Sequence, residues 1–226
     1  MKRLLLLHGY TEDRTIFETL LPLLLPFDEV LSLELVEEFA AWQPKRQINV
    51  ATLAQFLVAR YHIGPADVLI GHSMGGWIAA HIKELTGATT ILLSSFTDQA
   101  KIVSAIRSPR LLGLTALSGL IQSRFMLNRF KRQYRRDESR ALHARFVDAM
   151  AGMRRRYVQQ QLHVLFAPVQ PLTVQPDLRL HARRDNVVRL PDEPFVELPG
   201  DHFAHYYYPQ IAAEAIRGLL SKNMRS

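Results

Sequence analysis

Ser73 stands in Gly71-His72-Ser73-Met74-Gly75, with glycine two positions before it and two positions after it. That spacing suits a nucleophile held on a sharp strand-to-helix turn, where the flanking backbones crowd together and only side-chain-free neighbours fit. The apolar run from Asp67 to Ile70 reads as a strand leading in, and Trp77-Ile78-Ala79-Ala80 as a helix leading out. Such a turn lifts the hydroxyl out of the sheet edge and aims free N–H groups and the positive end of the helix dipole at it. A glycine-rich turn with an incidental serine would fit the bare five residues; the strand and helix on either side favour the nucleophile.

A serine hydroxyl attacks poorly at neutral pH unless a histidine takes its proton, a carboxylate orients the histidine, and donors receive the developing oxyanion. Asp185 follows one late strand, 177–182, and His202 follows the next, 194–198, in the chain order nucleophile, acid, base. Both therefore fall at the carboxyl edge of the sheet that carries Ser73. His205 is a rival base and Asp98 a rival acid, while Asp177 and Asp192 read as strand-end and turn residues. His72 reads as a neighbour of Ser73 that could touch substrate, and His8 as a shaper of its own loop. His62, His81, His143, His163 and His181 lack paired ligand spacing and cysteine is absent, so neither a metal nor another cofactor is expected.

The elements around these residues alternate. Strands at 3–7, 28–36, 67–71 and 88–94 are separated by a helix through about Leu25, a loop to Pro44, a helix over 47–62 and the helix after Ser73, which Gly87 closes. This β-α alternation implies a doubly wound, mostly parallel sheet. It breaks after Ser95: residues 98–165 are helical in pattern and form an inserted cap, leaving 1–97 and 166–226 as the core, closed by a helix over 209–220. Three or four helices are expected in the cap, and its apolar residues are expected to form a cap core and to line a pocket.

The sequence resembles the α/β-hydrolase superfamily over nearly everything outside the cap. His8-Gly9 resembles the HG turn of the oxyanion loop, residues 71–75 the nucleophile elbow, Ala182 to Val188 the acid loop, and Gly200 to Phe203 the histidine loop. The resemblance implies Ser73 as nucleophile, His202 as base, Asp185 as orienting acid, and the backbone N–H groups of Tyr10 and Met74 as the oxyanion hole. The Tyr10 ring could also wall an acyl pocket. Ala182 replaces a glycine usual in the family, Asp201 is inserted between Gly200 and His202, and the family's first two antiparallel strands are not expected here. The implied activity is cleavage of a carboxylic ester or thioester through an acyl-enzyme. A binding protein that kept the scaffold and lost the chemistry is the other class, and the intact Ser73, Asp185 and His202 argue against it.

Of the formal charge of +7, residues 101–160 carry fourteen Lys or Arg against three acidic residues, so the rest of the chain is net negative. A field of that size draws anionic partners and weakens in salt. A solvated helix face is the simpler reading. The specific one is docking of an acidic carrier protein through Arg129, Arg132, Arg135, Arg136, Arg154 and Arg155, since pimeloyl-acyl carrier protein methyl ester esterases are similar in elbow, HG loop and cap placement. Nucleic acid is disfavoured because few aromatics interleave the basic clusters and no accompanying motif is present. The opening apolar run stops after four leucines and no stretch reaches the about 18 apolar residues of a membrane span, so a cytoplasmic protein is expected.

Overall fold

A computed structural model describes residues 3–24, 26–44, 47–134 and 137–222. Its sheet begins with β1 (Arg3–Leu7) and β2 (Glu29–Leu33) and continues with β3 (Val68–His72), β4 (Thr89–Leu93), β5 (Leu178–Ala182) and β6 (Val196–Leu198) in the spatial order β2-β1-β3-β4-β5-β6. Expected as mostly parallel, it is wholly parallel among the described residues. Register brings the carboxyl ends together: Leu7 pairs with Gly71, His72 with Leu93, Leu93 with Leu180, and Ala182 with Leu198. The residues that follow those ends, among them Ser73, Asp185 and His202, thus share one edge.

Both faces of the sheet centre are covered, which is why β1 and β3 read as continuous apolar runs rather than alternating ones. Leu5, Leu7 and Leu69 face one cluster, formed with α1 (Leu35–Ala41), α2 (Val50–Tyr61) and α3 (Met74–Thr86). Leu4, Leu6, Val68 and Ile70 face the other, with Ile16, Phe17, Leu20 and the last helix.

Two expectations before residue 45 need correction. In place of a helix reaching Leu25 there are two short 3-10 turns, Arg14–Phe17 and Leu21–Leu23, and Leu25 lies outside the described residues. Asp13 caps the first by accepting the Thr15 N–H at 2.9 Å, and Pro22 sits in the opening turn of the second, where it supplies no N–H to a continuing ladder. The loop expected after β2 instead contains α1, whose first amide, Leu35 N–H, donates to His8 Nε2 at 3.0 Å.

Between β4 and β5 lie α4 (Pro109–Leu117), α5 (Arg124–Gln133), α6 (Asp137–Met150) and α7 (Arg155–Phe166), within the segment expected as a cap. Leu112, Ile121, Leu127, Met150 and Val158 form its own core, whereas Leu111, Leu114, Leu117, Leu120 and Phe125 are exposed. Helix α7 belongs to both parts: Tyr157 packs edge-on against Phe39, and the Trp77 indole N–H donates to the Val164 carbonyl at 3.1 Å. After β6 come α8 (Ala204–Tyr207) and α9 (Pro209–Lys222). No helix among the described residues is long and apolar enough to cross a membrane.

Candidate active site

Ser73 is the residue between β3 and α3, at φ 52° and ψ −120°, a backbone state that side-chain-bearing residues seldom adopt. Its glycine neighbours make that turn possible. A Cβ on Gly75 would lie 1.9 Å from the Leu7 carbonyl oxygen, and one on Gly71 would lie 2.5 Å from the Gly75 backbone. The turn is fixed from β4 as well, where the Ser73 N–H donates to the Leu93 carbonyl at 3.0 Å and the Ser95 hydroxyl donates to the Ser73 carbonyl at 2.6 Å. Ser73 retains 7% exposure.

His202 follows β6 and Asp185 follows β5, and the two loops meet: His202 Nδ1 lies 2.8 Å from Asp185 Oδ2. Asp185 is locked on its other oxygen, which accepts the N–H groups of Val187 at 2.8 Å and Val188 at 2.9 Å. Burial alone would raise the Asp185 carboxyl, but the His202 charge and hydrogen bond, with His181 and the Val188 amide, hold it below its ordinary value. Burial likewise opposes charge on His202, yet Asp185, with smaller help from Glu12 and Asp201, lifts that ring above the ordinary imidazole value. Against Ser73, the ring of His72 lies 4.8 Å from that of His202, and His72 Nε2 is 3.1 Å from the His202 carbonyl.

The loop after β1 supplies the opposite wall. Gly9 N–H donates to Glu12 Oε2 at 2.7 Å and Thr11 N–H to Gln161 Oε1 at 2.9 Å, so of three successive amides only that of Tyr10 is unclaimed among the described residues. The Met74 N–H, first in α3, is also without an acceptor among them. The Tyr10 ring touches both the cluster on one sheet face and the cluster of Leu112, Met150 and Val158, and its hydroxyl donates to Met150 Sδ at 3.7 Å.

The rival residues are engaged elsewhere. Asp98 is exposed and accepts the Ala100 N–H at 2.8 Å, Asp177 pairs with Lys83, and Asp192 with Lys101. His205 is wholly buried, its ring 4.4 Å from that of His72, and burial pushes its basicity well below the ordinary value. His72, expected as a possible substrate contact, is 0% exposed and has both ring nitrogens against protein acceptors. Glu12, His72 and His202 bring ligand atoms within 4.8 Å of one another, a proximity that sequence spacing did not reveal.

Two further residues shape the site without a motif to mark them: Glu12, in the polar loop after β1, and Gln161, on α7. The inserted Asp201 accepts the Ser139 hydroxyl of α6 at 2.7 Å and the Phe203 N–H at 3.1 Å through its Oδ1, tying the His202 loop to α6. Glu12 and Asp201 carry no sequence signal beyond polarity next to a recognisable motif, and Gln161, within α7, carries none beyond its polarity.

No protein of curated function matches this sequence. Solved structures do resemble the fold. A hydrolase from Pseudomonas aeruginosa superposes with a TM-score of 0.68 at 15% identity, covering 97% of this chain and 89% of its own. An esterase from a Rhodococcus species gives 0.66 at 16% identity over 97% and 90%, and a thermophilic esterase from Thermogutta terrifontis 0.66 at 15% over 98% and 90%. The sequence profile of the alpha/beta hydrolase family matches residues 4–220, so the chain belongs to the alpha/beta hydrolase family.

Proposed function

We propose that the chain is a serine hydrolase that cleaves a carboxylic ester or thioester of a small molecule through an acyl-enzyme. The observation that carries this reading is the 2.8 Å pair of His202 Nδ1 and Asp185 Oδ2, with the His202 ring 4.8 Å from that of His72, the residue before the strained turn of Ser73. With Nδ1 held by Asp185, Nε2 of His202 is the atom left to take the Ser73 proton as Oγ attacks the carbonyl carbon. The unclaimed N–H groups of Tyr10 and Met74 receive the oxyanion. His202 then gives its proton to the departing alcohol or thiol, and a water deprotonated by the same ring releases the acid and frees Ser73. Two of the similar folds are esterases by name, which agrees with this chemistry.

Hydrolysis of p-nitrophenyl esters from acetate to decanoate tests the reading, and the preferred length measures the pocket beneath residues 98–165, which we assign as the cap over a core of 1–97 and 166–226. Failure across the whole series by a protein that also resists a serine-directed phosphonate would reject it.

The pH dependence has a definite sign. The base must be neutral, and His202 titrates above the ordinary 6.5, so kcat/KM is expected to rise with pH along an acid limb whose midpoint lies above 6.5. A midpoint below that value in the free enzyme would contradict the Asp185 pairing.

A cleft on α5 favours a second, more specific reading, in which the ester arrives on an acidic carrier protein. Phe125, Asn128, Arg129 and Arg132 line an open groove of about 420 Å³. Arg154 and Arg155 are exposed nearby in sequence, with Arg155 donating to the Leu117 carbonyl at 3.2 Å; Arg135 and Arg136 lie outside the described residues. Changing Arg129→Glu together with Arg132→Glu should lower turnover of a carrier-bound ester by about tenfold at low salt, because a surface field acts on encounter, and should spare a small soluble ester. Equal loss on both substrates would remove the carrier reading. A cytoplasmic site of action is proposed with it, and a sequence free of cysteine is compatible with that compartment.

A further inference from the structure

Beneath the candidate site lies a buried pair that the mechanism above does not use. His72 is 0% exposed, its Nδ1 is 2.8 Å from Glu12 Oε2, and its Nε2 is 3.1 Å from the His202 carbonyl oxygen. A carbonyl only accepts, so Nε2 must carry a hydrogen. On the other side, a bond between Nδ1 and the carboxyl needs a second hydrogen, and neutral imidazole has only one N–H. That second proton belongs either to Glu12 as a neutral acid or to His72 as an imidazolium.

The surroundings decide for the imidazolium. Glu12 Oε2 already accepts the Gly9 N–H at 2.7 Å, which favours an ionised oxygen at that point. Burial works to raise the carboxyl, but His72, His202 and His8 together hold it below its ordinary value. The titratable groups around the pair, among the described residues, are His8 on the loop after β1, His202 and His205 from the last loop and α8, and Tyr134, His143 and Tyr157 from the segment between β4 and β5, with the Phe203 ring packed against His72. Of these, His205 is held neutral by burial, with the charges of His72 and His202 adding to that effect, so it is not a competing cation. The closeness of Glu12, His72 and His202 is thus accounted for by bonds that each already makes.

We propose that Glu12 and His72 are a charged, buried positioning pair that fastens the three loops of the site to one another. Its bonds reach Gly9, one residue before Tyr10; His72 itself, one residue before Ser73; and the backbone of His202. The pair touches the neighbour of the oxyanion donor, the neighbour of the nucleophile and the main chain of the base, without touching substrate. For its kinetic consequence this inference rests on the serine-hydrolase reading; its charge state does not.

Two measurements separate these. In the wild-type protein, nitrogen-15 NMR of the histidine rings, with His72 assigned by its loss in His72→Gln, should find a hydrogen on both ring nitrogens of His72, as its two bonds require. A singly protonated His72 at pH 7 would overturn the pair. Glu12→Gln keeps the shape but cannot accept from Gly9 and His72 as an anion, and kcat should fall by about 10- to 100-fold with KM little changed, since misplacement of reacting groups by a fraction of an ångström to an ångström costs that much. Glu12→Asp, which restores the charge, should recover part of the loss. A kcat for folded Glu12→Gln within twofold of wild type would overturn the positioning role. Should Glu12→Gln fail to fold, the wild-type ring spectrum still decides whether the pair is charged. Absence of any turnover by wild type would reject the hydrolase reading, and the ring spectrum would again decide the pair by itself.

Discussion

Replacing Ser73 by alanine is expected to remove ester hydrolysis by about 10⁴-fold or more, leaving only what binding and the two N–H donors provide. The change deletes one oxygen from a residue with 7% exposure, and its backbone state is as strained for alanine as for serine, so the melting temperature should stay close to wild type. Ser73→Gly makes the same claim from the other side. It should be equally inactive yet more stable, by about 1–3 kcal/mol, because φ 52° with ψ −120° is strained only for a residue bearing a Cβ. Joint measurement of turnover and thermal unfolding checks both. An active Ser73→Ala would assign the chemistry to another residue, and a destabilised Ser73→Gly would mean that the turn holds no strain to release.

The second large effect belongs to Asp185. Asp185→Asn retains the shape and can still meet the Val187 and Val188 amides, but an amide nitrogen facing His202 Nδ1 would turn the ring to the tautomer that puts its hydrogen on Nε2. The base would then present a donor to Ser73 instead of an acceptor. kcat should drop by about 10⁴-fold at neutral pH. The acid limb of the remaining activity should move down, since the carboxylate that lifts His202 is gone. Retention of activity within tenfold would favour a different acid; Asp98, engaged by Ala100, would have to be reconsidered first.

Much of this was legible because the motifs concern backbone. A Cβ on Gly71 or Gly75 would collide with main chain, so the need for glycine is written at fixed spacing from Ser73 and survives without any distant partner. The parallel register then carries Asp185 and His202 to the same edge, as the strand order implies once the alternation is read.

What was not legible depends on contacts across the chain. Helix α1 begins with Leu35-Val36, which continues the apolar pattern of β2, and its first amide is satisfied by His8, 27 residues earlier. No local pattern contains that cap. Glu12 looks like one more acid in a polar loop until His72 is brought to it from 60 residues away. Gln161 is one of three successive glutamines on α7, and only the fold turns its carbonyl oxygen to Thr11. Between β4 and β5, apolar spacing alone could not divide buried Leu112 and Leu127 from exposed Leu114 and Phe125, because α4 and α5 carry apolar residues on both their buried and their exposed faces.

The most direct test of serine catalysis is covalent. Wild-type protein treated with a fluorophosphonate and read by intact mass and peptide mapping should gain one adduct, on Ser73, lost in Ser73→Ala. Labelling of a different serine, such as Ser95 behind the turn, or no adduct on folded protein, would contradict it and leave a binding protein on a hydrolase scaffold as the reading.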